Sequence, residues 1–421
     1  MYTVRFVLIV RNREITDPCN SGSQLPILHR SSRSVIIRAM NIERHIATAV
    51  REAATELPVI TIVGPRQSGK TTLAKMLFPD KPYRSLEDPD VRRLAGSDPR
   101  RFLEKLPDGA ILDEVQRVPD LLSYIQGIVD EKGVNGLFVL TGSSNLLLMK
   151  SVSQTLAGRC AIFTLLPFSL GEADGLQAKG DMLSSILAGG YPRFLAGGIR
   201  HKTFFGGYIN TYVERDVHQL LKIKDTLLFT NFLRILVGRI GTILDVTSIS
   251  NDTGVSTKTV MEWLSILHTS YICFLLPPWY ENRGKRLVKS PKLYFYDTGL
   301  ACALAEIGDV EQLNRDPLRG GLFENLVILE AMKRAYNNGT RPNLYFYRDS
   351  KGIEVDLVEH SGRKLIPTEI KSSATFNPDF CKNLSVFAER YKDVCGQSTV
   401  IYGGDESFAF KGVSVRPFYA Y

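Results

Sequence analysis

Fourteen residues, Val59 to Thr72 (VITIVGPRQSGKTT), constrain this chain more than any other stretch. The β-branched run Val59-Ile60-Thr61-Ile62-Val63 reads as a buried strand, and it breaks at once into Gly64-Pro65. From Gly64 the spacing is G-x-x-x-x-G-K-[ST], the pattern that cradles nucleotide phosphates. Gly64 and Gly69 let the backbone curl so that successive N–H groups point inward. Pro65, Arg66, Gln67 and Ser68 fill the curl, and Lys70 brings a cation to the β- and γ-phosphates. The Thr71 hydroxyl suits Mg²⁺, and a helix expected over Thr72 to Phe78 points its positive end at the same anion. ATP with Mg²⁺ is the ligand these residues imply.

A site of this kind needs acids opposite the loop, and the chain supplies them. Gly109 to Glu114 (GAILDE) reads as a strand whose apolar run ends in two carboxylates. Such strand ends are where α/β sheets bind ligands. Asp113 suits the outer shell of Mg²⁺, and Glu114 suits a base that orients the attacking water. Tyr83 to Leu86 reads as a short strand between these two segments. Gly136 to Thr141 is a fourth strand, and the tip after it offers Asn145 to the γ-phosphate or the water. A fifth runs from Cys160 to Leu166, and Arg159 just before it is placed to reach a phosphate held by a neighbouring subunit.

Bulk properties exclude little. With 44% apolar and 23% charged residues, the chain has the makeup of a globular protein of two or three domains. Its six cysteines show no C-x-x-C pair and no histidine at ligand spacing, so reduced thiols in a cytoplasmic protein are expected. No apolar run approaches the roughly 20 residues of a membrane span. The net charge of +8 invites a nucleic-acid partner, but half of it is local: residues 1–39 hold six arginines against two acids, a net +4. That stretch, with only the short apolar run Phe6 to Val10, is expected to be a flexible tail, and Met40 is an alternative start. Asn41 to Glu56 then reads as an amphipathic helix.

The rest of the chain divides by pattern. Residues 167–225 read as a helical linker region after the nucleotide domain of 40–166, broken at Gly189-Gly190-Tyr191-Pro192 and ending in a helix from Tyr208 to Leu221. Residues 226–305 carry a winged-helix pattern. Its short helix is Asp245 to Asn251, and Ser256 caps a second over Thr257 to His268. Strands at Tyr271 to Leu275 and Leu293 to Tyr296 flank the basic turn Arg283 to Arg286. In residues 306–421 a helix from Gly320 to Tyr336 precedes strands at Leu344 to Arg348, Gly352 to Val358 and Leu365 to Lys371. Strand alternation puts Glu369 and Lys371 on one face, with Asp356 opposite. Two carboxylates can hold Mg²⁺, and a lysine can position a water.

GPRQSGKTT, AILDE, TGSSN and the arginine before the fifth strand resemble the AAA+ ATPases. DEVQRVPDL, LTGSSNLLL, LAGR, GGYPRF and YINTYVERDV are similar, more narrowly, to a prokaryotic AAA+ group with a C-terminal domain of unknown function. Asp356 with Glu369-x-Lys371 resembles the PD-(D/E)xK nuclease fold, and Glu324 its helix glutamate. The resemblance covers Met40 to the C-terminus and implies an α/β architecture: a P-loop ATPase domain, a winged helix and a restriction-endonuclease-like domain. Arg159 would then be a finger in a homo-oligomer. The implied function is ATP hydrolysis coupled to nuclease action on nucleic acid. The alternatives are a nucleotide-controlled switch for a protein partner, with metal ligands Asp356, Glu369 and Glu324 inactive, and a scaffold that only binds nucleotide.

Overall fold

A computed structural model describes residues 42–143, 152, 154–174, 181–217, 226–280 and 290–421. The 1–39 stretch, Met40, Asn145, the turn at 283–286 and the linker helix beyond Val217 lie outside the described residues.

The N-terminal half is built on a five-stranded parallel sheet. Its strands are β1 (Val59–Gly64), β2 (Tyr83–Ser85), β3 (Ala110–Asp113), β4 (Phe138–Ser143) and β5 (Cys160–Thr164), in the order β2-β3-β4-β1-β5. All six residues of β1 are buried, which is why its run is continuously apolar rather than alternating. Val59 and Val63 pack against the helix Leu121–Lys132. Ile60 and Ile62 face the helices Ala47–Glu56 and Lys70–Leu77 on the other side. Parallel register sets Gly64 beside Ser143, and β4 lies between β1 and β3. The loop, the acidic pair and the β4 tip therefore open on one edge.

Several element ends differ from the sequence expectation, and two of them have a local reason. The third strand stops at Asp113 because Glu114 takes a left-handed backbone, φ 55°, and leaves the ladder. The first helix starts at Ala47 rather than Asn41. Glu172 accepts from both the Arg44 side chain (3.0 Å) and the His45 N–H (2.8 Å), which commits the His45 N–H to a partner outside any helix.

In the middle of the chain the helices Val246–Thr253 and Thr257–Thr269 are capped by Asp245 and Ser256, each accepting a backbone N–H three residues on. An antiparallel pair follows, β6 (Cys273–Leu276) with β7 (Lys292–Phe295). The last part carries a mixed sheet of β8 (Leu344–Arg348), β9 (Glu354–Ser361), β10 (Lys364–Lys371), β11 (Thr399–Tyr402), β12 (Phe408–Phe410) and β13 (Val413–Pro417). Its order is β12-β13-β11-β10-β9-β8. β9 turns into β10 at Gly362, φ 60°, a conformation that favours glycine. One apolar cluster runs from Phe232 and Trp263 through Leu293 and Phe323 to Ile401, so the middle and C-terminal parts share packing. Among the described residues no helix is long and apolar enough to cross a membrane, and the cysteines are free thiols.

Candidate functional site

The loop after β1 is shaped for an anion. Gly64 sits at φ 148° with its α-carbon so close to the chain that an added Cβ would lie 2.2 Å from the Leu165 carbonyl oxygen. Gly69 and Gln67 take left-handed backbone at φ 96° and 62°, which curls the loop into the helix Lys70–Leu77. Lys70 is buried inside the curl. Its Nζ donates to the carbonyls of Gly64 (3.0 Å) and Pro65 (2.7 Å). Burial pushes its pKa down to about 8, although the carboxylates of Glu114 and Asp113 oppose the shift. Thr72 and Arg44 line a cavity of 340 Å³ beside the loop, walled by Ile42, Leu73, Met76 and Phe168.

Asp113 is the hub opposite. Thr71 Oγ1 donates to its Oδ2 at 3.0 Å, Tyr83 OH donates to the same oxygen at 2.7 Å, and Thr141 donates to Oδ1. Thr71 and Asp113 thus stand together where a phosphate-bound Mg²⁺ needs oxygen ligands in its first and outer shells. A cradle bounded by Gly64 and Gly69, a buried ammonium and this pair fit a nucleoside triphosphate with Mg²⁺. Glu114 lies next to them. Its Oε2 accepts from Ser143 Oγ at 3.1 Å and from Gln116, which also donates to Ser143 Oγ at 3.1 Å. Arg159, expected as a finger toward a neighbouring subunit, is partly exposed. It makes a bidentate pair with Asp130 of its own chain, with Nη2 to Oδ2 at 2.9 Å.

The second set of expected residues also converges. Lys371 Nζ lies 2.7 Å from Glu369 Oε1 and 3.3 Å from Asp356 Oδ2, and the Ile370 N–H donates to Asp356 at 2.8 Å. Glu324 joins through another lysine: Lys292 Nζ on β7 reaches Glu324 (3.0 Å), Glu354 (2.6 Å) and Asp356 (3.9 Å). Tyr294, also on β7, donates to Glu324. Asp356, Glu369 and Glu324, expected as metal ligands, lie in this one cluster. Ammonium groups stand among the carboxylates, and no group of three or more His, Cys, Asp or Glu among the described residues is placed to hold a metal ion. Burial and the neighbouring carboxylates push Glu369 up to about 8 and Glu324 up to about 7. One oxygen of Glu369, Oε2, is buried without a hydrogen-bond partner.

Comparison with known proteins places an AAA domain over residues 56–173, a domain of unknown function (DUF8612) over 180–311 and another (DUF4143) over 319–421. The uncharacterized protein Rv2008c of Mycobacterium tuberculosis is 32% identical over 355 residues, 82% of this chain and 77% of that one. The chain belongs to the same family. It is an AAA+-like P-loop ATPase with a DUF4143 domain at its C-terminus. The uncharacterized protein MJ1544 of Methanocaldococcus jannaschii is 24% identical over 332 residues, 70% of this chain and 71% of that one. Among solved structures, the Walker-type ATPase paby2304 of Pyrococcus abyssi is similar at 16% identity and a TM-score of 0.37, covering 62% of this chain and 94% of that one.

Three features of this ATPase escaped the sequence. Gln116 and Ser143 hold Glu114, and only the position of Gln116 two residues after the acid hinted at it. Arg44 is buried, with Nη1 on the Ser68 carbonyl (2.9 Å), Nη2 on the Leu166 carbonyl (2.7 Å) and Nε on Glu172. The S-x-x-E capping box of Ser169 and Glu172 was readable, but its use as an arginine's counter-ion was not. Lys292 reaches the DUF4143 acids from β7 in the preceding segment, and nothing local marks it.

Proposed function

We propose that this protein binds ATP with Mg²⁺ in the loop Gly64 to Thr72 and hydrolyses it, and that its nucleotide state controls the C-terminal half as a switch for a partner. The observation that carries the first part is the Thr71–Asp113 contact at 3.0 Å, with Lys70 on one side and Glu114 on the other. Mg²⁺, when bound, offsets charge on the β- and γ-phosphates. Lys70 would pair with those phosphates in place of the loop carbonyls, Thr71 and Asp113 would hold the cation, and Glu114 would orient the attacking water in place of its contacts with Ser143 and Gln116. The apolar cavity beside Thr72 suits the nucleoside. Arg159, bonded to Asp130, serves its own domain in this reading. The Glu114→Gln variant is expected to bind ATP as the parent does and to turn it over at least about 100-fold more slowly. Equal steady-state rates would remove Glu114 from the role.

What supports a switch over a nuclease is the pair of lysines among Asp356, Glu369, Glu354 and Glu324. A divalent cation there would have to displace an ammonium that already neutralises the acids. Calorimetric titration of Mn²⁺ into the EDTA-treated, ATP-free parent is expected to give no heat that Asp356→Ala abolishes. Such heat, together with cleavage of plasmid DNA, would favour the nucleic-acid reading instead.

A further inference from the structure

The phosphate loop is joined to the middle of the chain through an arginine and a tyrosine. Arg66, third in the loop, holds its guanidinium carbon 5.4 Å from the centroid of the Tyr212 ring. Tyr212 is buried, and its hydroxyl donates to the Ser270 carbonyl at 2.9 Å. Ser270 is itself buried and closes the helix Thr257–Thr269 ahead of β6. Tyr212 lies in Ile209–Val217, nine residues wound as a π-helix directly after the α-helix His201–Tyr208. Its ring also meets Tyr208 at 5.3 Å, and the Tyr191 hydroxyl donates to that of Tyr208 at 2.9 Å. π-Helical turns are rare, occur mostly singly and cluster at functional places. Coupling requires an element with two arrangements, and an α-helical register is the alternative to such a π-helical one.

We propose that Arg66 and Tyr212 are the coupling element through which triphosphate binding reaches the middle segment. This rests on the nucleotide reading above. A guanidinium paired with phosphate is held by charge-assisted hydrogen bonds, which outweigh a contact with an aromatic face at a half-buried position. A bound triphosphate therefore draws Arg66 off the Tyr212 ring. The Ile209–Val217 segment is then released to change register, and the Tyr212 hydroxyl carries the change to Ser270 and the helix it closes. The diphosphate, lacking the γ-phosphate, leaves the ring covered.

The chain holds its own reporter. It has two tryptophans, and Trp263 lies on the helix Thr257–Thr269 against Phe229 and Phe232 at 5.4 and 5.0 Å. In the full-length Trp279→Phe protein, Mg²⁺ with the non-hydrolysable analogue AMP-PNP is expected to change Trp263 emission and amide exchange over residues 257–276, and ADP is not. Tyr212→Phe keeps the ring and loses the hydroxyl. Tyr212→Leu loses both. Each is expected to bind AMP-PNP within about threefold of the parent by calorimetry, with the response reduced in the first and lost in the second. A response of parental size in folded Tyr212→Leu, or in Tyr212→Phe should the leucine variant not fold, overturns the coupling role. So does AMP-PNP binding with no response in the parent, and in both cases the nucleotide site stands. Failure of every protein to bind AMP-PNP overturns the nucleotide reading, and this inference falls with it.

Discussion

Replacing Lys70 by alanine is expected to abolish measurable ATP binding while leaving the melting temperature unchanged or slightly raised. The two halves of that result have different origins. Lys70 Nζ is buried inside the curl, and its partners there are the neutral carbonyls of Gly64 and Pro65. A triphosphate is a much better partner, so the ammonium's contribution to binding is large, on the order of 100-fold or more. Without ligand the same ammonium is a burden. Burial brings its pKa down to about 8 from its usual 10.5, so keeping it charged at neutral pH opposes folding. A buried cation of this kind gains stability as pH rises from about 8 toward 10.5, and the alanine variant should lack that rise. Calorimetry with ATP and thermal melts at pH 7 and 10 check both halves. Parental affinity in Lys70→Ala would move the nucleotide elsewhere.

Lys292→Met is expected to cost about 3–5 kcal/mol of folding stability, the usual result of removing one partner from a buried charge cluster. The methionine fills the volume but leaves Glu324, Glu354 and Asp356 without the ammonium now at 3.0, 2.6 and 3.9 Å. Denaturant unfolding measures it, and a loss below about 1 kcal/mol would show that Lys292 is not what holds those acids. The same cluster sets a pH dependence. Glu369 at about 8 and Glu324 at about 7 bind protons more tightly in the folded chain than at their usual 4.5. The folded state therefore carries more protons between about 4.5 and 8, and its stability falls as pH rises through that window. Glu369→Gln keeps an acceptor for Lys371 and cannot ionise, so its denaturation midpoint should fall less than the parent's between pH 6 and 8.5.

The sequence by itself determined the nucleotide loop, its acidic partners and the hairpin of the last domain. In each case the information is local. The loop needs a strand, two glycines, a lysine and a helix start within fourteen consecutive residues, and no distant contact can substitute for that spacing. Asp113 follows from where its strand ends, and Asp356 meets Glu369 and Lys371 because a turn at Gly362 folds two adjacent strands together. Only the tertiary structure decided what holds these groups. Arg44 finds Glu172 across 128 residues, Lys292 reaches Glu324 across 32, and Arg159 meets Asp130 across 29. A buried charge must have a partner, but which one arrives depends on how helices and sheets pack, and a one-dimensional pattern does not carry that. The same limit hid Arg66 from Tyr212, two side chains whose meeting depends on how the π-helical segment lies over the phosphate loop.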